Sequence, residues 1–525
     1  MFDFYVLAAF IGYLALMIAI GVVFSKKQHG LDDYYLGGRK MNKWVVAFSA
    51  QASDMSGWLL MGLPGAIYLA GFSEAWIGIG LVIGTYLNWK IVARKLRNYS
   101  EICGNSITIP DFFANRFRDR IGISRIIAAL IILIFFTFYT ASGFVSCAKL
   151  FDSLFNIPEA INLGFATVTG YELCLWIGAL VVVSYTLLGG YQAVCWTDLI
   201  QGMLMFIAIV IIPAIVVTRA GGFSETVDQV NAINPYLQSL FTNASTAKAC
   251  GSIALISSLA WGLGYFGMPH ILVRFMSIDN AVEIRNSRRI AMTWVVIALA
   301  AAIVIGVVSH LYLKQQGLTL SDVGGDPEKM FMVMINGIFT GNLLVRIFAG
   351  LLLSAIMAAI MSTADSQLLV SASAFSNDLY RVILRKKASN KELIVVSRIT
   401  VGIVAAVAIV MAMNTQSEFF KVVMKMVSFA WAGFGSAFGP VILLALFWKR
   451  SNLFGAVSGM LVGATTCFVW KFVLAANAGL VAKFPILSLY ELVPGFVLAL
   501  ITMMVVSLLT PKPGDEVVKE FESVT

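Results

Sequence analysis

Long apolar runs recur along almost the whole chain, separated by short polar stretches where glycine, asparagine and charged residues gather. A helix rises about 1.5 Å per residue, so roughly 20 apolar residues cross about 30 Å of hydrocarbon. Thirteen runs fit that length, at 4–24, 42–71, 75–93, 122–150, 171–189, 196–218, 250–273, 289–313, 341–376, 396–413, 420–448, 454–473 and 486–510. The first has no basic stretch before it and no small-residue cleavage site after it, so it reads as a retained span and not as a signal peptide. No polar stretch is long enough for a soluble domain. The longest, about 219–249 and 314–340, read as external loops.

Two runs break the pattern from within. The run 42–71 contains "SGWLLMGLPG", and 250–273 continues into "WGLGYFGMP". Glycine and proline interrupt a helix and free its carbonyls and amides, which a membrane protein tolerates only where protein or a water-lined cavity satisfies them. Each interrupted run is the first of a set of five, 42–218 and 250–448. Because five is odd, the two sets face opposite ways. Interruptions at matching positions in two inverted halves point to the midplane binding site of a secondary transporter. The expected architecture is an all-α polytopic membrane protein, one domain over 1–525. It has an extra N-terminal helix (4–24), two inverted five-helix repeats, two extra helices (454–510) and a tail (511–525).

Composition agrees with this reading. The 525 residues are 59% hydrophobic and 12% charged, with a mean hydropathy of +0.87, against roughly 25% charged in soluble domains. Lysine and arginine collect in alternate loops. One set holds Lys26, Lys27, Arg39, Lys40 and Lys43, then Lys90, Arg94, Lys95, Arg97, Arg116, Arg118 and Arg120. It continues with Arg285, Arg288 and Arg289, with Arg381, Arg385, Lys386, Lys387 and Lys391, and with Lys449 and Arg450. The other set shows mainly Arg219, Lys248, Lys314, Lys329 and Lys483. Basic short loops stay cytoplasmic, so the N-terminus is expected outside and the tail inside a cell membrane. The net charge of +9 follows from topology and requires no nucleic-acid partner.

Few groups suit covalent or redox chemistry. Cys103, Cys147, Cys174, Cys195, Cys250 and Cys467 lack paired spacing and read as packing thiols. His29, His270 and His310 form no metal constellation, and His270 reads as a local hydrogen-bonding group. No Walker A sequence occurs, so this chain does not hydrolyse ATP to drive transport. No organic cofactor is expected, and the chain does not read as an enzyme.

Asp54 stands out, because a carboxylate at the membrane centre costs roughly 2.5–3.5 kcal/mol and normally faces a partner or a cavity. The carbonyls freed beside it suit a hard monovalent cation, for which sodium is the natural candidate. Further oxygens come from "AAIMSTADSQLLVSASAFS", 358–376, where Ala359, Ser362 and Thr363 share a helical face at i, i+3 and i+4. Asp198 and Asp365 are further acids at or near spans and leave a second cation site open. For an organic solute the informative stretch is 260–275, "AWGLGYFGMPHILVRF". Trp261 and Tyr265 lie four apart and Pro269 continues the series, an aromatic wall beside unwound backbone that can hold an apolar ring, a carboxylate and an ammonium. Tyr139 in "FFTFYTASG" faces the same cavity on this reading, although spacing does not distinguish it from Phe138.

Five strings taken in order, "DYYLGGRKM" (33–41), "SAQASDMSGWLLMGLPGA" (49–66), "GGYQAVCWTD" (189–198), "WGLGYFGMPHILVRF" (261–275) and "AAIMSTADSQLLVSASA" (358–374), resemble the sodium/solute symporter family, and the second and fourth its proline branch. The resemblance covers nearly the whole chain. It implies sodium-coupled import of L-proline on a leucine-transporter-like core of five plus five helices. It implies one sodium site from the carbonyls of Ala52, Met55 and Ala359 with the hydroxyls of Ser362 and Thr363. Asp54 then serves sodium affinity, Ser56 and Gly57 lie between ion and solute, and Arg39 affects coupling. The proline pocket involves Tyr139, Trp261, Tyr265 and Pro269. Some relatives hold a second sodium with residues matching Asp198, Ser362 and Ser366, and here Asp365 stands where that pattern has a hydroxyl. The rival readings are symport of pantothenate, a sugar or another organic acid on the same fold, or a membrane sensor or channel.

Overall fold

A computed structural model describes residues 4–25, 30–155, 158, 160–162 and 167–524. Lys26, Lys27 and His29 of the orientation and metal readings lie outside these residues. The described chain is predominantly helical, with two short antiparallel hairpins, Ala160–Asn162 with Thr167–Thr169, and Thr242–Asn243 with Lys248–Ala249.

Among the described residues, eleven helices are long and apolar enough to cross a membrane. The difference from thirteen runs has two sources. Trp58–Ile102 carries two runs with no irregular gap between them, and the run 250–273 is divided, so that its first piece, Ser252–Phe266, is too short to count. The loops 219–249 and 314–340 are not plain coil. They fold into the helices Phe223–Ile233 and Met330–Ile338, and the second is largely buried.

Packing separates central from peripheral helices. The most apolar window of Val423–Phe447 is 89% buried, whereas those of Phe4–Phe24, Leu453–Leu474 and Leu492–Leu509 are only 28%, 33% and 33% buried. The latter three present their apolar side chains outward, as lipid-facing helices do.

The first interrupted run begins as the helix Lys43–Asp54, capped by the Asn42 side chain, which accepts from the amides of Trp44 and Val45 at 3.0 Å each. It ends because Met55 leaves helical geometry (φ −86°, ψ 72°) and the Ser56 amide turns back to the Asp54 carbonyl at 3.0 Å. The Ala52 carbonyl, which Ser56 would have bonded four residues on, is thereby released. The chain resumes as a widened turn, Trp58–Gly62, and the helix Leu63–Ala70 with Pro64 in its first turn. Proline has no N–H and crowds the carbonyl four residues back, which the wide turn accommodates.

The second run folds as Ser252–Leu259, tightens into the 3₁₀ segment Ala260–Phe266, breaks at Gly267–Met268 and restarts at Pro269–Ser277. At Gly267 an added Cβ would meet the Phe434 carbonyl of the central helix, so the break fits only with glycine there. Trp261 and Tyr265 therefore do not share an α-helical face, since three residues per turn rotate them apart. Both still meet Trp431, the first stacked at 6.4 Å and the second edge-on at 4.9 Å.

Candidate functional site

Around the first break, side chains from three helical segments converge on Asp54, which is fully buried. Tyr265 donates to its Oδ2 at 2.6 Å. Trp58 Nε1 and the Tyr139 hydroxyl donate to its carbonyl at 3.1 and 3.4 Å. Its Oδ1 has no hydrogen-bond partner. A buried carboxylate oxygen left without a donor is costly and suits an arriving cation.

Next to it lies a cluster of oxygens. Ser362 donates to the released Ala52 carbonyl at 2.7 Å and to its own Ala359 carbonyl at 3.2 Å, while Thr363 reaches Ala52 at 3.4 Å. Four of the five residues expected for the ion, Ala52, Ala359, Ser362 and Thr363, are thus within hydrogen-bond reach of one another. Met55 sits at the break itself, with no hydrogen bond joining it to the group. Ser56 accepts from the Trp58 amide at 3.4 Å. Gly57 packs so closely on the helix Ile123–Phe155 that a Cβ there would lie 2.6 Å from Ser146 Oγ and 2.9 Å from Ser146 Cβ.

An aromatic shell surrounds the break. Trp261 lies 6.3 Å from Trp58 and stacks on Tyr490 at 5.5 Å, and its carbonyl accepts from Trp431 Nε1 at 2.7 Å. Pro269 is buried at the start of its helix. A cavity of about 610 Å³ lined by Trp261, Tyr490 and Glu74 opens on the face opposite the basic loops. His270 packs its ring edge-on against Phe136 at 5.5 Å, with the Ser53 backbone as its polar neighbour.

The residues of the second candidate cation site are brought together, but around an arginine. Arg274 is 1% exposed, and its guanidinium bonds Ser49 Oγ (3.1 Å), Asp198 Oδ2 (3.3 Å) and Ser366 Oγ (2.5 Å). Ser49 also donates to Asp198 at 2.6 Å. Ser366 bonds the Ser362 carbonyl at 2.8 Å and Asp365 Oδ1 at 3.3 Å, so this network adjoins the first site. Arg274, like Asp54, lies inside an apolar run. The criterion that flagged Asp54, an ionisable residue inside an apolar run, applies to it equally. Ser49, Trp58, Trp431 and Tyr490 carry no such signal.

Arg39 makes its hydrogen bonds outside this group. Gly37, Gly38 and Arg39 take positive φ in succession (64°, 61°, 54°). Only for arginine does that conformation cost energy, of order 1 kcal/mol. Its guanidinium donates to Met276 O (2.7 Å), Ser106 O (2.8 Å), Ser100 Oγ (3.0 Å) and Asn105 Oδ1 (3.1 Å), which holds the turn. Burial and the nearby Arg97 push it down to about 10, still a cation at neutral pH. Arg97 donates to the Ile278 carbonyl at 2.7 Å. Met41 pairs with the chain after the second broken helix, its amide on Ser277 O and its carbonyl taking the Asp279 amide. Backbone pairing to Met41 and two arginines therefore tie down the basic-face end of that helix, the arginines capping its last carbonyls.

A family model, described as the sodium:solute symporter family, matches residues 34–463. The chain is 44% identical over 515 residues to the sodium/proline symporter of Escherichia coli, covering 98% of this chain and 95% of that one. It is 45% identical over 506 residues to the high-affinity proline transporter PutP of Bacillus subtilis, covering 96% and 98%. It is 43% identical over 503 residues to the osmoregulated proline transporter OpuE of the same organism, covering 96% and 94%. Among solved structures, a substrate-bound, outward-open Na+-coupled sialic acid symporter superposes with a TM-score of 0.74 at 20% identity, over 98% of this chain and 100% of that one. A nucleobase-cation-symport-1 family transporter in a closed conformation gives 0.53 at 13% identity, over 94% and 98%. At these identities the structural likeness is one of fold.

Proposed function

Because this chain belongs to the sodium:solute symporter family, with sodium as coupling ion, we propose that it imports L-proline by sodium-driven alternating access. One observation carries the reading: Ser362 and Thr363 of one helix both turn toward the Ala52 carbonyl that the broken helix releases beside Asp54. The full-length relatives named for proline support the choice of solute over pantothenate, a sugar or another organic acid.

Sodium from outside is held by the carbonyls of Ala52, Met55 and Ala359 and the hydroxyls of Ser362 and Thr363, with Asp54 supplying negative charge. That ties the first broken helix to Leu343–Ser373. Proline lies against Tyr139, Trp261, Tyr265 and Pro269, bridging the two broken helices. Ser56 and Gly57 separate ion from solute, and Arg39 holds the basic face until the core rocks. Ion and proline each raise the other's affinity by the same factor. One sodium moving down about 100 mV supplies about 2.3 kcal/mol, enough for roughly 50-fold accumulation. The basic loops are cytoplasmic, the membrane is the cell membrane, and the N-terminus is outside. The core consists of two inverted repeats, 42–218 and 250–448, flanked by 4–24 and 454–510, with 511–525 as the tail.

Labelled-proline uptake into proteoliposomes under sodium, lithium and proton gradients tests this. Accumulation is expected with sodium, blocked by unlabelled proline and not by pantothenate or sugars. Uptake that unlabelled proline fails to compete with would overturn the proline reading. Unchanged sodium dependence in Asp54→Asn would remove the role given to Asp54.

A further inference from the structure

Away from the transport path, on the basic face, a cavity of about 420 Å³ lies where the helix Leu453–Val469 begins and the chain leaves Leu492–Leu509. Arg116, Arg118, Arg120 and Lys512 line it, with Asp515 and Glu516 of the tail helix Asp515–Val524. Arg118 is already committed to Glu520, one turn further along the tail.

Arg116 is the unusual member. It is 1% exposed, with its guanidinium against the rings of Tyr99, Phe117 and Phe521 at 5.3, 5.3 and 5.4 Å. Its Nε and Nη2 donate to the Ala445 carbonyl (3.0 Å) and Ser451 Oγ (3.3 Å), neither a carboxylate, and Nη1 has no partner. A guanidinium so buried calls for an anion, and the nearby Glu520 carboxylate, bonded to Arg118, acts on it without bonding it. The helix Leu453–Val469 also starts at the cavity and turns its positive dipole end toward it, with Asn452 capping the Gly455 amide; the tail helix starts there too, with Asp515 and Glu516 in its own first turn.

The surroundings indicate where the anion comes from. Phe454 lines the same cavity and is 56% exposed, and Leu508 and Leu509, which end the adjacent span, are 59% and 82% exposed. Asn452 joins the two spans at this level through Thr510 Oγ1 (2.7 Å) and Ser507 O (3.3 Å). A cavity with four basic side chains against two acidic ones, roomy enough for a phosphate headgroup, thus opens beside bare apolar surface at the end of two spans, the arrangement that suits an acidic lipid.

We propose that this cavity binds a phosphate group, supplied by the headgroup of an anionic phospholipid whose chains lie along Phe454 and Leu509. The bound phosphate joins Arg116, Arg120 and Lys512. It fastens the tail to the start of Leu453–Val469 and, through Ala445, to the central helix.

The test is retention of lipid by the full chain in native mass spectrometry, with dioleoylphosphatidylglycerol, dioleoylphosphatidylcholine or inorganic phosphate added. Phosphatidylglycerol is expected to be retained about tenfold over phosphatidylcholine. The rim variant Arg120→Gln/Lys512→Gln should remove most of that preference, and Arg116→Gln the remainder. Because Arg116→Gln risks misfolding, the rim variant carries the test, its fold checked by unchanged sodium-dependent uptake in phosphatidylcholine vesicles. Inorganic phosphate retained with the same sensitivity to the rim variant would keep the phosphate site and reject the lipid as its source. Equal retention of both lipids, with no phosphate bound, would overturn the proposal. So would a preference that the rim variant leaves intact.

Discussion

Tyr265 donates its hydroxyl to Asp54 Oδ2 at 2.6 Å, one side chain from each broken helix, at the level where both depart from α geometry. A hydrogen bond to a buried charge contributes about 1.5–3 kcal/mol, and this one joins the ion side of the site to the solute side. Tyr265→Phe is therefore expected to weaken the mutual enhancement of sodium and proline by roughly tenfold or more, since 1.4 kcal/mol is a factor of ten. Half-saturation for each, measured at low and saturating levels of the other, checks it. Full mutual enhancement in the variant would refute the coupling role.

Ser362 and Thr363 share the Ala52 carbonyl but at different distances, 2.7 and 3.4 Å. Ser362→Ala is expected to raise the sodium half-saturation about tenfold, Thr363→Ala by less, and Thr363→Ser to restore it. Proline half-saturation at saturating sodium should change little. Sodium titration of uptake decides, and a change confined to proline would assign the hydroxyls to the solute.

Arg274 binds Asp198 while Asp365 sits beside it, all three buried. Removing one partner of a buried ion pair leaves an uncompensated charge and costs about 3–5 kcal/mol. Arg274→Gln should lower the thermal unfolding temperature in detergent markedly, and Arg274→Gln/Asp198→Asn should recover part of the loss. Equal losses in the single and double variants would show that the charge pairing is not the source.

The approach of Gly57 to Ser146 leaves no room for a methyl group. Gly57→Ala should cut uptake by at least about tenfold through overpacking, a cost of roughly 1–3 kcal/mol. Gly57→Ala/Ser146→Gly should regain most of it, because Ser146→Gly removes both close atoms. Initial uptake rates with expression held equal distinguish the pair, and no rescue would place the fault elsewhere.

What was legible in the sequence was whatever violates the membrane's rules. Asp54 and the glycine–proline interruptions stand out because hydrocarbon penalises charge and unpaired backbone, and the structure brings Asp54, Ala52, Ser362 and Thr363 together as that logic expects. Trp58, Trp431 and Tyr490 obey the rules: an apolar chain has many aromatic residues, and only three-dimensional crossing tells which of them face the break. The relative direction of Trp261 and Tyr265 is not legible, because 3₁₀ winding leaves no trace in apolar periodicity. The pull of Arg39 on Met276, across 237 residues, lies beyond any local pattern.

The pairing of Met41 with the strand-like end of the second broken helix has a kinetic consequence. Its amide and that of Asp279, hydrogen-bonded at 3.2 and 2.9 Å, exchange their protons with water only when that junction separates. Their deuterium uptake rates therefore count openings of the basic face directly, and saturating sodium should slow both amides together.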